Sequence, residues 1–239
     1  MKEINLLEKT ANGLRKDVIK MICESKSGHP GGSLSIADIM TALYFSEMNV
    51  DPKNPKMEDR DRFVLCKGHA APILYATLAA KGFFDKELLM TLRKYGSPLQ
   101  GHPDMKKVNG VDISTGSLGQ GLSIANGMAL AGKLDKKDYR VYAILGDGEQ
   151  QEGQVWEAAM TAAHYKLDNV CAFADSNNLQ IDGNVSDVMG VAPLDKKWEA
   201  FGWHVITING HDFNEIFAAL DEARATKGKP TMKIGRAHV

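Results

Sequence analysis

The sequence predicts an α/β fold in which a parallel sheet carries helices on both faces. Two observations support this. From residue 140 onward, strand and helix patterns alternate: strand 140–145, a helix near 154–165, strand 170–174, strand 203–208, helix 213–225, and a further strand from Pro230. Such alternation builds a parallel sheet covered by helices. In addition, Gly146-Asp147-Gly148-Glu149 directly follows one apolar strand and Asn177-Asn178 directly follows the next, thirty residues on from Asp147. That is the length of one βαβ unit, so the two motifs should sit side by side at the carboxyl ends of neighbouring strands, where such sheets bind ligands.

The elements follow in chain order. Leu7, Ala11, Leu14, Val18 and Ile22 recur at steps of three or four, so an amphipathic helix opens the chain and stops near Ser27-Gly28. After Gly28-His29-Pro30-Gly31-Gly32, a second helix turns Leu34, Ile36, Ile39, Met40 and Leu43 inward. Pro52-Lys53-Asn54-Pro55 reads as a surface loop and residues 63–66 as a short strand. Residues 70–80 form a helix closed by Gly82, and 85–95 a helix capped by Asp85 and stopped at Gly96. A glycine-rich stretch, 112–121, leads into the helix containing Ile124 and Met128. The last seven residues, 233–239, do not read as a continuation of the strand begun by 229–232 and look like a translated sequencing adapter. The domain is therefore expected over 1–232, with 233–239 a non-native tail in which His238 has no functional meaning.

The 239 residues carry 29 Lys+Arg against 30 Asp+Glu, a net charge of −1. Without a basic block, neither a nucleic-acid groove nor a membrane-surface patch is expected. Cys23, Cys66 and Cys171 are far apart and form no CxxC pair, so neither a disulfide framework nor a zinc site is indicated. The first twenty residues lack the continuous apolar segment of a signal peptide, and no apolar run is long enough to span a membrane. A reducing cytoplasm fits best.

At the two strand ends, glycines allow backbone to approach a phosphate closely, and the following helix offers free N–H groups. A bare Asp147 among phosphates would be repelled unless a cation lay between them. Carboxylate, amide oxygen and backbone carbonyl are hard oxygen ligands, suited to Mg²⁺ or Ca²⁺ beside phosphate oxygens. The pattern therefore implies a metal-bridged diphosphate. A dinucleotide fingerprint fits less well, because the third glycine is Gly153. Asp147→Ala is expected to abolish metal-dependent cofactor binding and to leave the fold intact. Three histidines precede this motif in glycine contexts, His29, His69 and His102, whereas His211 reads as structural and His164 and His204 carry no motif.

GDG followed by NN at this spacing resembles the signature of thiamine-diphosphate enzymes, and GDGEQQEGQVWEA resembles the transketolase family. So do SGHPGGSLS, FVLCKGHAAPILY and QGHPD, and the resemblance covers residues from about 5 to 232. It implies that Asp147, Asn177 and the carbonyl of Leu179 bind Mg²⁺, and that Gly146, Gly148 and Asn177 lie at the diphosphate. It also implies that Gly116, Ser117 and Leu118 line the cofactor rings, that His29 and His102 meet sugar hydroxyls, and that His69 lies against cofactor and substrate. Glu152 matches an acid at the family's dimer contact. Relatives of full length usually have Pro where Ser117 stands, and the serine form resembles the split, two-chain members.

The resemblance implies ketol transfer between sugar phosphates, in the manner of the pentose phosphate pathway. It also implies a missing part: the glutamate that activates the cofactor's pyrimidine belongs to a domain outside this sequence. The expected partner is a C-terminal subunit carrying that domain, in a self-associated dimer and a two-plus-two assembly. Two alternatives are an E1 α-like subunit of a 2-oxo-acid dehydrogenase and, for the chain in isolation, a non-catalytic cofactor-binding fragment.

Overall fold

A computed structural model describes residues 3–180 and 183–236. Helix α1 spans Ile4–Ser25 and ends where Lys26 turns left-handed. The expected second helix is broken into α2, Pro30–Leu34, α3, Ala37–Ala42, and a wide turn over Leu43–Glu47. Strand β1 is Arg62–Leu65, α4 is Ala71–Lys81 closed by Gly82, and α5 is Gly121–Leu134. Then follow β2, Val141–Gly146, α6, Gly153–His164, and β3, Val170–Ser176. Two short strands, β4 at Leu179–Gln180 and β5 at Gly183–Asn184, pair antiparallel. Helices α7, Val185–Val188, and α8, Leu194–Ala200, precede β6, His204–Asn209, α9, Phe213–Ala225, and β7, Thr231–Arg236.

The main sheet has the order β1-β2-β3-β7-β6, and every pairing in it is parallel. The inner strands therefore bury both faces, which is why β2 and β3 are apolar at almost every position. Alternate residues divide between two cores. Tyr142, Ile144, Cys171 and Phe173 join α1, α3, α4 and α9 on one side. Val141, Ala143, Leu145, Val170, Ala172 and Ala174 join α5, α6 and α8 on the other. All three cysteines are free, Cys66 and Cys171 buried between these layers.

Two expectations need correction. The helix expected over 85–95 is a single tight helical stretch, Lys86–Thr91; Asp85 does cap it, accepting from the N–H of Glu87. It stops early because Leu92 is extended and Arg93 adopts φ 60°, sending its N–H to the carbonyl of Leu99. Residues 233–236 do continue the last strand, in register with β3 and β6. That placement buries Lys233 completely, its Nζ 2.7 Å from Cys171 Sγ and over the Phe173 ring. Residues 237–239, including His238, lie outside the described residues. Among the described residues no helix is long and apolar enough to cross a membrane.

Candidate active site

The sheet delivers its two motifs to one place. Gly146 at the end of β2 stands opposite Asp175 in β3, and the next residue, Asp147, donates its N–H to the Asp175 carbonyl. Asp147 is 4% exposed. Its Oδ1 accepts the N–H of Gly148 at 2.8 Å and its Oδ2 that of Asn178 at 2.8 Å, so one carboxylate staples the GDG turn to the Asn-Asn turn. Burial pushes its pKa up and these two N–H groups partly oppose that. Asn177 donates from Nδ2 to Asp175 Oδ2 and accepts the Leu179 N–H on Oδ1, both at 2.9 Å. A cavity of about 440 Å³ opens beside Asp147, bordered by Ser176, Asn178, Gly190, Val191 and Leu194.

The residues present fit a hard divalent cation accompanied by phosphate. Among the described residues no group of three or more His, Cys, Asp or Glu side chains could hold a metal. One carboxylate, one amide oxygen and one loop carbonyl are too few to enclose Mg²⁺ and leave positions for phosphate oxygens and water. A carboxylate buried where its charge is disfavoured also gains from a cation beside it.

The three histidines come together from separate elements. His29 precedes α2, where Pro30 occupies the first helical turn, and its ring meets that of His69 edge-on at 5.4 Å between centroids. His69 lies in the turn Gly68–Ala70 that joins β1 to α4. Burial first, then the charges of Lys67, His29 and His102, push its pKa down to about 4, so the imidazole is neutral near pH 7. His102 packs against Gly116, where a Cβ would stand 3.1 Å from its ring. Burial and the Arg93 guanidinium lower its pKa as well.

The loop before α5 completes the site. Gly68 has to be glycine, because a Cβ there would fall 2.8 Å from the backbone N of Gly116. Backbone contact thus joins the His69 turn to the Gly116-Ser117-Leu118 loop, with Ser117 and Leu118 exposed. A second cavity of about 280 Å³ runs between His102, Gly116, Ser117 and Ile124. Of the histidines outside these contexts, His211, read as structural, bonds Asp38 at 2.7 Å, and His204, which carries no motif, bonds Glu222 at 2.7 Å.

Three participants escaped the sequence reading. Glu149, 3% exposed, accepts the N–H groups of Gly119 and Gly146 at 3.0 Å each and so clamps the loop before α5 to the GDG turn. Lys67 and Asp175 form a buried ion pair at 2.6 Å. All three lie inside or beside the motifs, but nothing in a single sequence marks a charged side chain as buried.

Comparison with known proteins agrees with this geometry. Residues 7–238 match the family described as transketolase, thiamine diphosphate binding domain. The chain is 50% identical over 226 residues to the 6-deoxy-6-sulfo-D-fructose transketolase subunit SqwG of Clostridium sp. (strain MSTE9), covering 95% of this chain and 82% of that one. It is 44% identical to an apulose-4-phosphate transketolase subunit of Phocaeicola vulgatus, covering 97% of this chain and 82% of that one. Against human transketolase it is 45% identical, covering 98% of this chain and 37% of that one. The crystal structure of transketolase from Campylobacter jejuni superimposes with a TM-score of 0.92 at 38% identity, over 98% of this chain and 38% of that one. The chain therefore belongs to the transketolase family, in which it corresponds to the N-terminal domain that binds thiamine diphosphate.

Proposed function

We propose that this chain is the diphosphate-binding subunit of a two-chain transketolase, moving a two-carbon ketol unit from a ketose phosphate to an aldose phosphate. The observation that carries the proposal is the Asp147–Asn178 staple, which brings the GDG and Asn-Asn turns together at the sheet end that Lys67 ties to the Gly32 carbonyl after His29. Asp147, Asn177 and the Leu179 carbonyl would hold Mg²⁺, and Ca²⁺ suits the same oxygens. Gly146 and Gly148 would lie against the diphosphate, while His69, Gly116, Ser117 and Leu118 would line the rings. When bound, thiamine diphosphate supplies the carbon nucleophile that accepts the two-carbon unit.

His69, neutral at working pH, would donate or accept a hydrogen bond without adding charge beside the cofactor. His29 and His102 would face the sugar and exchange protons with its hydroxyls at their ring nitrogens. The buried Glu149 serves as a clamp, each of its oxygens held by a backbone N–H, of Gly119 and of Gly146; the activating acid is a separate group. That acid would come from the C-terminal subunit, and the names of the two relatives as subunits support such a partner. Self-association within a dimer and a two-plus-two assembly goes with this pairing of chains. A cytoplasmic location and a place in pentose phosphate metabolism complete the proposal.

The test is calorimetric titration of thiamine diphosphate into the chain mixed with its C-terminal partner, with Mg²⁺ or with EDTA. Binding that EDTA abolishes is expected. Equal binding in EDTA would refute the metal bridge.

A further inference from the structure

The GDG end of the sheet contains a buried ion pair that the proposed function leaves unused. The Lys67 side chain runs past the end of β2, its Cδ 3.9 Å from where a Cβ on Gly146 would stand. Its Nζ lies 2.6 Å from Asp175 Oδ2 and 2.6 Å from the carbonyl of Gly32. The two side chains are 2% and 1% exposed. The same Oδ2 accepts Ser35 Oγ–H at 2.6 Å and Asn177 Nδ2–H at 2.9 Å.

An ionised carboxylate only accepts hydrogen bonds. Asn177 therefore turns its NH₂ group toward Asp175 and its Oδ1 away, where the Leu179 N–H meets it at 2.9 Å, so the amide is held from both ends. A carboxylate this deeply buried is costly unless a cation is paired with it, and Lys67 is that cation. The pairing also offsets the charge of Asp175, leaving the carboxylates of Asp147 and Asp195 at the cavity.

We propose that Lys67 is a positioning residue. Through its buried ion pair with Asp175 it fixes the Asn177 amide with its oxygen turned to the cation site, and through the Gly32 carbonyl it ties the His29 turn to the same end of the sheet. The inference rests on the reading of Asn177 as a metal ligand. Partners that orient a ligand in this way typically contribute roughly 10–100-fold in metal affinity.

The test uses Lys67→Met and the double variant Lys67→Met/Asp175→Leu, each assembled with the C-terminal partner. Mn²⁺ binding in the presence of thiamine diphosphate is read by electron paramagnetic resonance, and the unfolding temperature is measured without metal. Lys67→Met should lower the unfolding temperature and weaken Mn²⁺ binding by roughly 10–100-fold. The double variant, with no orphan charge, should recover most of the unfolding temperature and keep the weak Mn²⁺ binding, because the Asn177 NH₂ group has lost its acceptor and the Leu179 N–H alone remains to orient the amide. Affinity that recovers together with stability, or parent-like affinity in Lys67→Met, overturns the proposal. A parent protein that binds no Mn²⁺ overturns the metal site itself and this inference with it.

Discussion

Asp147→Ala removes two functions at once, and the geometry separates them. The side chain accepts two backbone N–H groups at 2.8 Å in a site only 4% exposed. Hydrogen bonds to a charged acceptor contribute about 1.5–3 kcal/mol each. Against them stands the cost of burying the carboxylate, the leading cause of its raised pKa. A balance of about 2–3 kcal/mol is expected for the metal-free protein, a fall of about 4–12 °C in unfolding temperature for a domain of this size. The substitution thus costs stability while the fold stays intact. The two turns loosen while the sheet, whose core Asp147 does not enter, persists. Metal affinity should fall by at least about 100-fold, because the carboxylate of the ligand set is gone. Asp147→Asn keeps one acceptor, so it should lose roughly half the stability decrement and nearly all the metal affinity. The assay pairs thermal unfolding with titration of thiamine diphosphate, with and without Mg²⁺, in the assembled enzyme. Mg²⁺-dependent affinity equal to that of the parent in either variant would refute the reasoning.

Three further outcomes are expected. His102→Ala should reduce turnover of ketose donors at least about tenfold with little change in cofactor affinity, since the ring faces the mouth beside Gly116; equal losses in both would assign it to the cofactor. His69 titrates near 4 when folded and near 6.5 when unfolded, so between these values the unfolded chain binds more protons and stability falls as pH is lowered. Urea unfolding at pH 5 and pH 7 should show a shallower pH dependence in His69→Gln, and an unchanged one would contradict that placement. Lys233 is fully buried beside Phe173 and Cys171, with its pKa lowered chiefly by burial. Lys233→Ile should stabilise the chain by about 1–3 kcal/mol, and a lower unfolding temperature would show that the ammonium is adequately satisfied there.

Strands β1, β2 and β3 and helices α1, α4, α6 and α9 were legible because their apolar residues repeat at strand or helix spacing and their ends carry Gly, Asp or Asn. The stretch over 30–47 was not, since its apolar positions fit one helix and the breaks after Leu34 and Ala42 leave no local mark. Nor was the segment from β4 to α8, whose elements are two to seven residues long and whose Trp198 is buried by contacts with distant parts of the chain, including Gln150. The site divides in the same way. Asp147, His29, His69 and His102 each follow a glycine, and Asn177 opens an Asn-Asn pair just after a strand, so these positions announce themselves. Lys67 and Asp175 become a pair only because the sheet brings together residues 108 positions apart, a distance over which one sequence carries no signal.

The most direct measurement is ketol transfer assayed with this chain by itself, with its C-terminal partner by itself, and with the two mixed, each with saturating thiamine diphosphate and Mg²⁺. In the proposed function this chain would hold the diphosphate and meet a sugar, and the activating acid would come from the C-terminal subunit, with Glu149 clamping Gly119 to Gly146. No activity is expected from either chain in isolation, and robust activity from the mixture. Robust activity from this chain by itself would contradict its assignment as one half of a two-chain enzyme.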